Sequence, residues 1–68
     1  MKITKEQYKK MQEVDFEAIT EAMDQYLGYC VKCGDFTREM TEPDAEEYDC
    51  PVCGEDSVMG AEQMCIYL

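Results

Sequence analysis

The 68-residue chain has no histidine and no tryptophan, and it contains only two prolines, two phenylalanines and six lysines or arginines. Without histidine there is no imidazole general base and no Ser–His or Cys–His nucleophile pair, which excludes the commonest hydrolytic machinery. The six cations stand against sixteen carboxylates, giving a formal net charge of −10 and a pI of about 4.1. Such a surface repels phosphate backbones, whose binding relies on Lys and Arg displacing counterions. No stretch approaches the roughly 18–20 apolar residues of a membrane span. Residues 1–10 are too polar for a secretory signal, so a cytoplasmic location is expected.

The cations that are present cluster at one end. Lys2, Lys5, Lys9 and Lys10 precede Met11, against Glu6 alone; beyond it, Lys32 and Arg38 face fifteen acidic residues. Direct nucleic-acid binding through the Lys2–Lys10 end is therefore an alternative that the acidic remainder of the chain opposes.

What the chain has in excess is cysteine. Cys30-Val31-Lys32-Cys33-Gly34 and Cys50-Pro51-Val52-Cys53-Gly54 form two matched knuckles separated by sixteen residues, the spacing of a four-thiolate metal site. Two intervening residues let both sulfurs of a pair point at one ion, and the following glycine takes the positive φ that the turn favours. Backbone amides of such a turn can donate to the thiolates. Five cysteines are an odd number, so a reducing compartment with metal-bound thiolates fits better than a disulfide framework. Cys65 lies outside the pattern, and its neighbours Met64 and Ile66 mark it as a small buried hydrophobe.

A chain this short buries little surface and needs a staple, and metal-binding free energy becomes folding free energy. One Zn²⁺ on Cys30, Cys33, Cys50 and Cys53 is the expected cofactor, with one Fe as the alternative. Four thiolates and a divalent ion change the charge by −4 + 2, to about −12. A closed four-thiolate site leaves zinc no open position for water, so no enzymatic activity is expected.

The expected fold is a small metal-stabilised α+β domain: a zinc ribbon with short antiparallel strands (29–68), preceded by an N-terminal helical segment (1–28) and ending in a short helix. Thr4-Lys5-Glu6-Gln7 reads as a capping box, with Ile3 and Tyr8 in hydrophobic-staple positions. Phe16, Ile19, Met23, Tyr26 and Leu27 recur at helical spacing, and Gly28 stands where a helix ends in a left-handed residue. Asp15 falls inside the apolar stripe, which predicts a break near Val14-Asp15 with Asp15 capping a second helical piece. Residues 35–40 predict a strand with Phe36, Arg38 and Met40 on one face, and Ser57-Val58-Met59 a returning strand. Pro43-Asp44-Ala45-Glu46 predicts a single helical turn, Gly60 interrupts the second strand, and residues 61–68 predict a terminal helix.

Two resemblances refine these expectations. Tyr48-Asp49-Cys50-Pro51-Val52-Cys53-Gly54 resembles the second knuckle of rubredoxins, which implies an acidic iron electron carrier. Over a longer stretch, Gly28-Tyr29-Cys30-Val31-Lys32-Cys33-Gly34, Glu42-Pro43-Asp44-Ala45, the second knuckle and Val58-Met59-Gly60-Ala61-Glu62 resemble, in the same order, small zinc-ribbon proteins of phages and prophages. That resemblance implies one structural zinc and no assigned catalysis. The favoured reading is a non-enzymatic accessory or inhibitor module that binds a protein with a basic surface, in part by mimicking nucleic-acid charge. Asp35, Glu39, Glu42, Asp44, Glu46, Glu47 and Asp49 are the candidate partner-binding residues. The acidic run lacks the ligand spacing of a calcium loop.

Overall fold

The computed structural model describes residues 2–68; Met1, the start of the predicted helical segment, lies outside them. The capping box is present. Thr4 Oγ1 accepts from the Gln7 amide at 3.1 Å and Gln7 Oε1 accepts from the Thr4 amide at 3.0 Å, opening helix α1 over Lys5–Gln12. The break also falls where Asp15 demands it. Asp15 takes an extended conformation and its Oδ1 accepts from the Glu17 amide at 3.4 Å, starting α2 over Phe16–Asp24.

The end of α2 differs from expectation. The left-handed terminator is Tyr26, at φ 56°, rather than Gly28, and Leu27–Cys30 forms strand β1. Tyr26 donates its amide to the Met23 carbonyl, and its own carbonyl accepts from the Thr41 amide. That second bond turns the chain onto the end of strand β2, Asp35–Met40, where ladder pairing is stronger than one more helical turn. The predicted stripe is corrected accordingly. Ile19 and Ala22 are buried, whereas Phe16 and Tyr26 are 70% and 50% exposed, because the helix stops before its period returns Tyr26 to the core.

Strands β3 (Tyr48–Asp49) and β4 (Asp56–Gly60) complete an antiparallel sheet of order β2-β1-β4-β3, and α3 spans Ala61–Tyr67. Tyr29 pairs with Met59 and Cys30 with Val58 across β1 and β4. Alternation along the strands then gives the two faces different tasks. Tyr29 and Met59 join Val31, Met11, Ile19 and Met64 in the main core, so the three helices cover that face. Phe36 meets the Tyr29 ring edge-on with centroids 5.3 Å apart. Cys30 and Val58, on the other face, cluster with Cys50.

Strand β2 has its predicted bounds, but its buried residue is Thr37; Arg38 and Met40 are exposed. Thr37 Oγ1 accepts from the Gly28 amide at 3.0 Å, which satisfies a donor at the β1 irregularity. The predicted helical turn after Pro43 is a β-turn instead, closed by the Ala45 amide on the Glu42 carbonyl at 3.0 Å. This turn lies on the start of α3. Gly60 donates to the Ala45 carbonyl and Gln63 to the Pro43 carbonyl, each at 3.0 Å, so the loop satisfies helix amides that no side chain caps. Gly60 thus ends β4 and opens α3 rather than interrupting a strand. Among the described residues, no helix is long and apolar enough to cross a membrane.

Candidate metal centre

Each knuckle is built by its backbone. The Gly34 amide donates to the Cys30 carbonyl at 2.8 Å and the Gly54 amide to the Cys50 carbonyl at 2.9 Å. Closing these loops places Gly34 and Gly54 at φ 70° and 73°, the left-handed conformation for which glycine was expected. In the same turns the Cys33 amide points at Cys30 Sγ (3.3 Å) and the Cys53 amide at Cys50 Sγ (3.5 Å). Strand pairing then brings the knuckles together, since Cys30 ends β1 beside β4 and Cys50 follows β3 on the other side of β4.

The four sulfurs lie within 4.8 Å of one another. Cys30 and Cys53 are separated by 3.7 Å, and Cys33 and Cys50 by 3.8 Å. A tetrahedral ion with metal–sulfur bonds of about 2.3 Å requires sulfurs about 3.8 Å apart. The donor set therefore fits one four-coordinate metal ion. Cys30 and Cys50 are buried, and Cys33 and Cys53 face outward. Before a metal charge is added, the thiols are unequal. The amides of Cys53 and Val52 pull Cys50 down to about 6. Hydrogen bonding with Cys30, then Cys53, pushes Cys33 up to about 12. A divalent ion reverses the second effect by requiring all four as thiolates.

Two residues at the centre carried no ligand-type signal in the sequence. Ser57 is buried, with its Oγ 3.1 Å from Cys30 Sγ and 3.9 Å from Cys53 Sγ; beside a metal thiolate the hydroxyl is the donor. Lys10 lies over the first knuckle, with Cε and Nζ so close to Gly34 that a Cβ there would approach them to 2.6–2.7 Å. Lys32 of one knuckle pairs with Glu55 beside the other at 4.0 Å. Ser57 read only as part of a strand. Its one sequence signal is a hydroxyl four residues after the last ligand, just where the chain turns back. Cys65 is half-buried against the core with its sulfur 3.9 Å from Met23 Sδ, in keeping with a packing role.

The candidate partner-binding residues are all exposed, but they divide. Asp35, Glu39, Glu47 and Asp49 border clefts on the sheet face away from the helices. Glu42 accepts from the Tyr48 hydroxyl at 3.1 Å, Glu46 accepts from the Tyr67 hydroxyl of α3, and Asp44 sits in the β-turn.

Comparison with protein-family models, with curated proteins and with solved structures returned no match. The arrangement itself supports a zinc-ribbon-like, metal-binding module.

Proposed function

We propose that this chain is a non-enzymatic zinc ribbon, of the small accessory kind seen in phages and prophages, that binds a protein with a basic surface. Zinc is the metal because a closed four-thiolate set is a standard structural zinc arrangement. The observation carrying the functional part is that acidic side chains of β2, β3 and their connecting loop stand exposed on a sheet whose knuckles bring four sulfurs together. A surface of one sign on a rigid frame speeds encounter with a complementary partner and disfavours others. The test is affinity capture from a bacterial lysate with the parent chain and with a Glu39→Gln/Glu47→Gln/Asp49→Asn variant. A partner with a basic face, lost with the neutralised variant, is the expected result; equal capture by both ends the reading.

The outward position of Cys33 and Cys53 favours a second reading, a single redox iron with surface-accessible sulfur. Metal analysis and a visible spectrum of protein from iron-supplemented cells separate the two. One zinc and no colour is expected; a red protein bleached reversibly by reductant replaces zinc with iron and accessory binding with electron transfer.

A further inference from the structure

The sheet face opposite the helices is open, and two adjoining clefts of about 430 and 540 Å³ run along it, sharing Thr37, Glu39 and Pro51. Their floor is made by buried Val58, Thr37 and Cys30. Their walls carry large apolar groups directed at solvent: Met40 is 80% and Val52 85% exposed, with Tyr48 between half-buried and free. Around these anchors stand four carboxylates, Asp35, Glu39, Glu47 and Asp49, with one cation, Arg38, in the lining; Glu47 also borders an adjacent cleft that holds Lys2 and Lys32. At one end the lining includes Cys30, Cys33 and Cys50, whose metal-loaded centre carries a further −2.

This combination selects its occupant. Nucleic acid and anionic lipid surfaces share the sign of the rim and are repelled. A second copy meeting this trough with its own would set acid against acid in a chain of net charge −10. A neutral apolar ligand would leave the carboxylates without counter-charges at its margin. What complements both anchors and rim is a cationic peptide with apolar side chains.

We propose that this trough is the docking site for an extended segment of a partner protein in which Lys or Arg flank one or two apolar residues. The apolar side chains settle among Met40, Tyr48 and Val52, and the cations face Asp35, Glu39, Glu47 and Asp49. Of the strands beneath the floor, β1 and β4 are tied to the metal centre through Cys30 and Ser57, so little ordering is left for binding to supply. The proposal rests on the protein-binding reading above and adds the place and the chemistry.

The experiment is an amide chemical-shift titration of the metal-loaded, nitrogen-15-labelled protein. The probes are a synthetic Lys-Arg-Leu-Arg-Val-Lys peptide, an all-lysine peptide of equal length and a copy with Glu for each cation. Shifts should centre on Thr37, Glu39, Met40, Tyr48, Asp49 and Val52 with the mixed peptide, be weaker with all-lysine and vanish with the acidic copy. A Met40→Ser/Val52→Ser variant should bind the mixed peptide at least about tenfold more weakly. A Glu39→Gln/Asp49→Asn variant should lose affinity and much of its salt dependence. Both pairs are exposed, so retained metal stoichiometry and an unchanged apo-peptide spectrum verify their folding. The trough is ruled out if the all-lysine peptide binds as well as the mixed one, or if the Met40/Val52 change has no effect. Shifts on Glu13, Glu17 and Glu21 of the helical side also rule it out while leaving the protein-binding reading standing. No response to any cationic peptide, together with no basic partner in the capture experiment, ends both.

Discussion

Replacing Ser57 by Ala removes one oxygen from a buried position 3.1 Å from a ligand sulfur. The hydrogen bond it deletes is of the kind made to a charged acceptor, which contributes about 1.5–3 kcal/mol. Partners of metal ligands, measured independently, alter metal affinity by about 10–100-fold, or about 1.4–2.8 kcal/mol. The two ranges overlap, so a loss of that order is expected here. Cys30 Sγ keeps the Cys33 amide at 3.3 Å, which holds the effect short of losing the ion altogether. Because metal binding and folding are linked, the metal-loaded protein should lose the same amount of stability. For a domain of this size that is a fall in Tm of roughly 6–20 °C.

Competition with a chromophoric chelator at neutral pH gives the affinity, and thermal unfolding of the loaded protein gives the stability. Cobalt in place of zinc adds a readout that simple cavity formation does not move. The thiolate-to-cobalt charge-transfer band should shift to lower energy when Cys30 loses its hydroxyl donor, since an unbonded thiolate is the more electron-rich ligand. An affinity within twofold of the parent, with the band unmoved, would refute the assignment of Ser57 to the centre.

Gly60→Ala should destabilise by about 3 kcal/mol, at the upper end for overpacking, because the new Cβ meets the backbone carbonyl oxygens of Glu42 and Pro43; urea unfolding of the loaded protein measures it. Tyr29→Phe should raise stability by about 1 kcal/mol in the same assay, since the Tyr29 hydroxyl is buried without a hydrogen-bond partner among the described residues. Asp56→Asn should raise Tm, because Asp49 stands directly across the ladder and, first by their hydrogen bond and then by charge, with Glu47 and Glu55 adding, holds the Asp56 carboxyl above its usual range. The sign follows from the folded state binding that proton more tightly: the penalty is present above the ordinary carboxylate pKa and fades below it. The gain from Asp56→Asn should therefore be larger at pH 7 than near pH 4, by paired thermal melts; the opposite order would contradict the repulsion.

What was legible in the sequence was whatever short-range chemistry dictates. The knuckles, the capping box and the Asp15 break each depend on residues within four positions of one another, and each formed as the spacing required. Strand β2 was legible for the same reason, as it leaves a knuckle whose geometry is fixed. What failed depended on partners far along the chain. Gly28 looked like a helix stop; its neighbours are Thr41 and Val58, and the space they leave for it is invisible locally. Pro43 suited a helix start, but the amides of Gln63 and Gly60, far along the chain, recruited the Pro43 and Ala45 carbonyls of its loop instead. Phe16 matched the apolar period and is exposed, because burial is decided by where α2 meets α3 and β1, not by periodicity alone. Ser57 and Lys10 joined the centre through pairing and packing, for which no spacing rule exists.

The placement of the few cations bears on where the acidic surface acts. A four-thiolate centre is the densest negative charge on the molecule, and an ion cancels only half of it. Lys10 lies over the first knuckle and Lys32 links the two through Glu55, so two of the six cations stand at that centre. Lys5 and Lys9 belong to α1, on the helical side of the sheet. The trough on the far face has Arg38 in its lining against four carboxylates, of which Glu47 also borders a cleft with Lys2 and Lys32, and the remaining charge of the metal site. Folding alone gives no reason for that imbalance, since like charges gathered on one face destabilise the compact state. Exposed Met40 and Val52 within the same rim add apolar surface that is also costly to leave in water. A cationic segment laid along the trough would offset both costs at once, which is why the strongest functional statement attaches to this face rather than to the acidic composition as a whole.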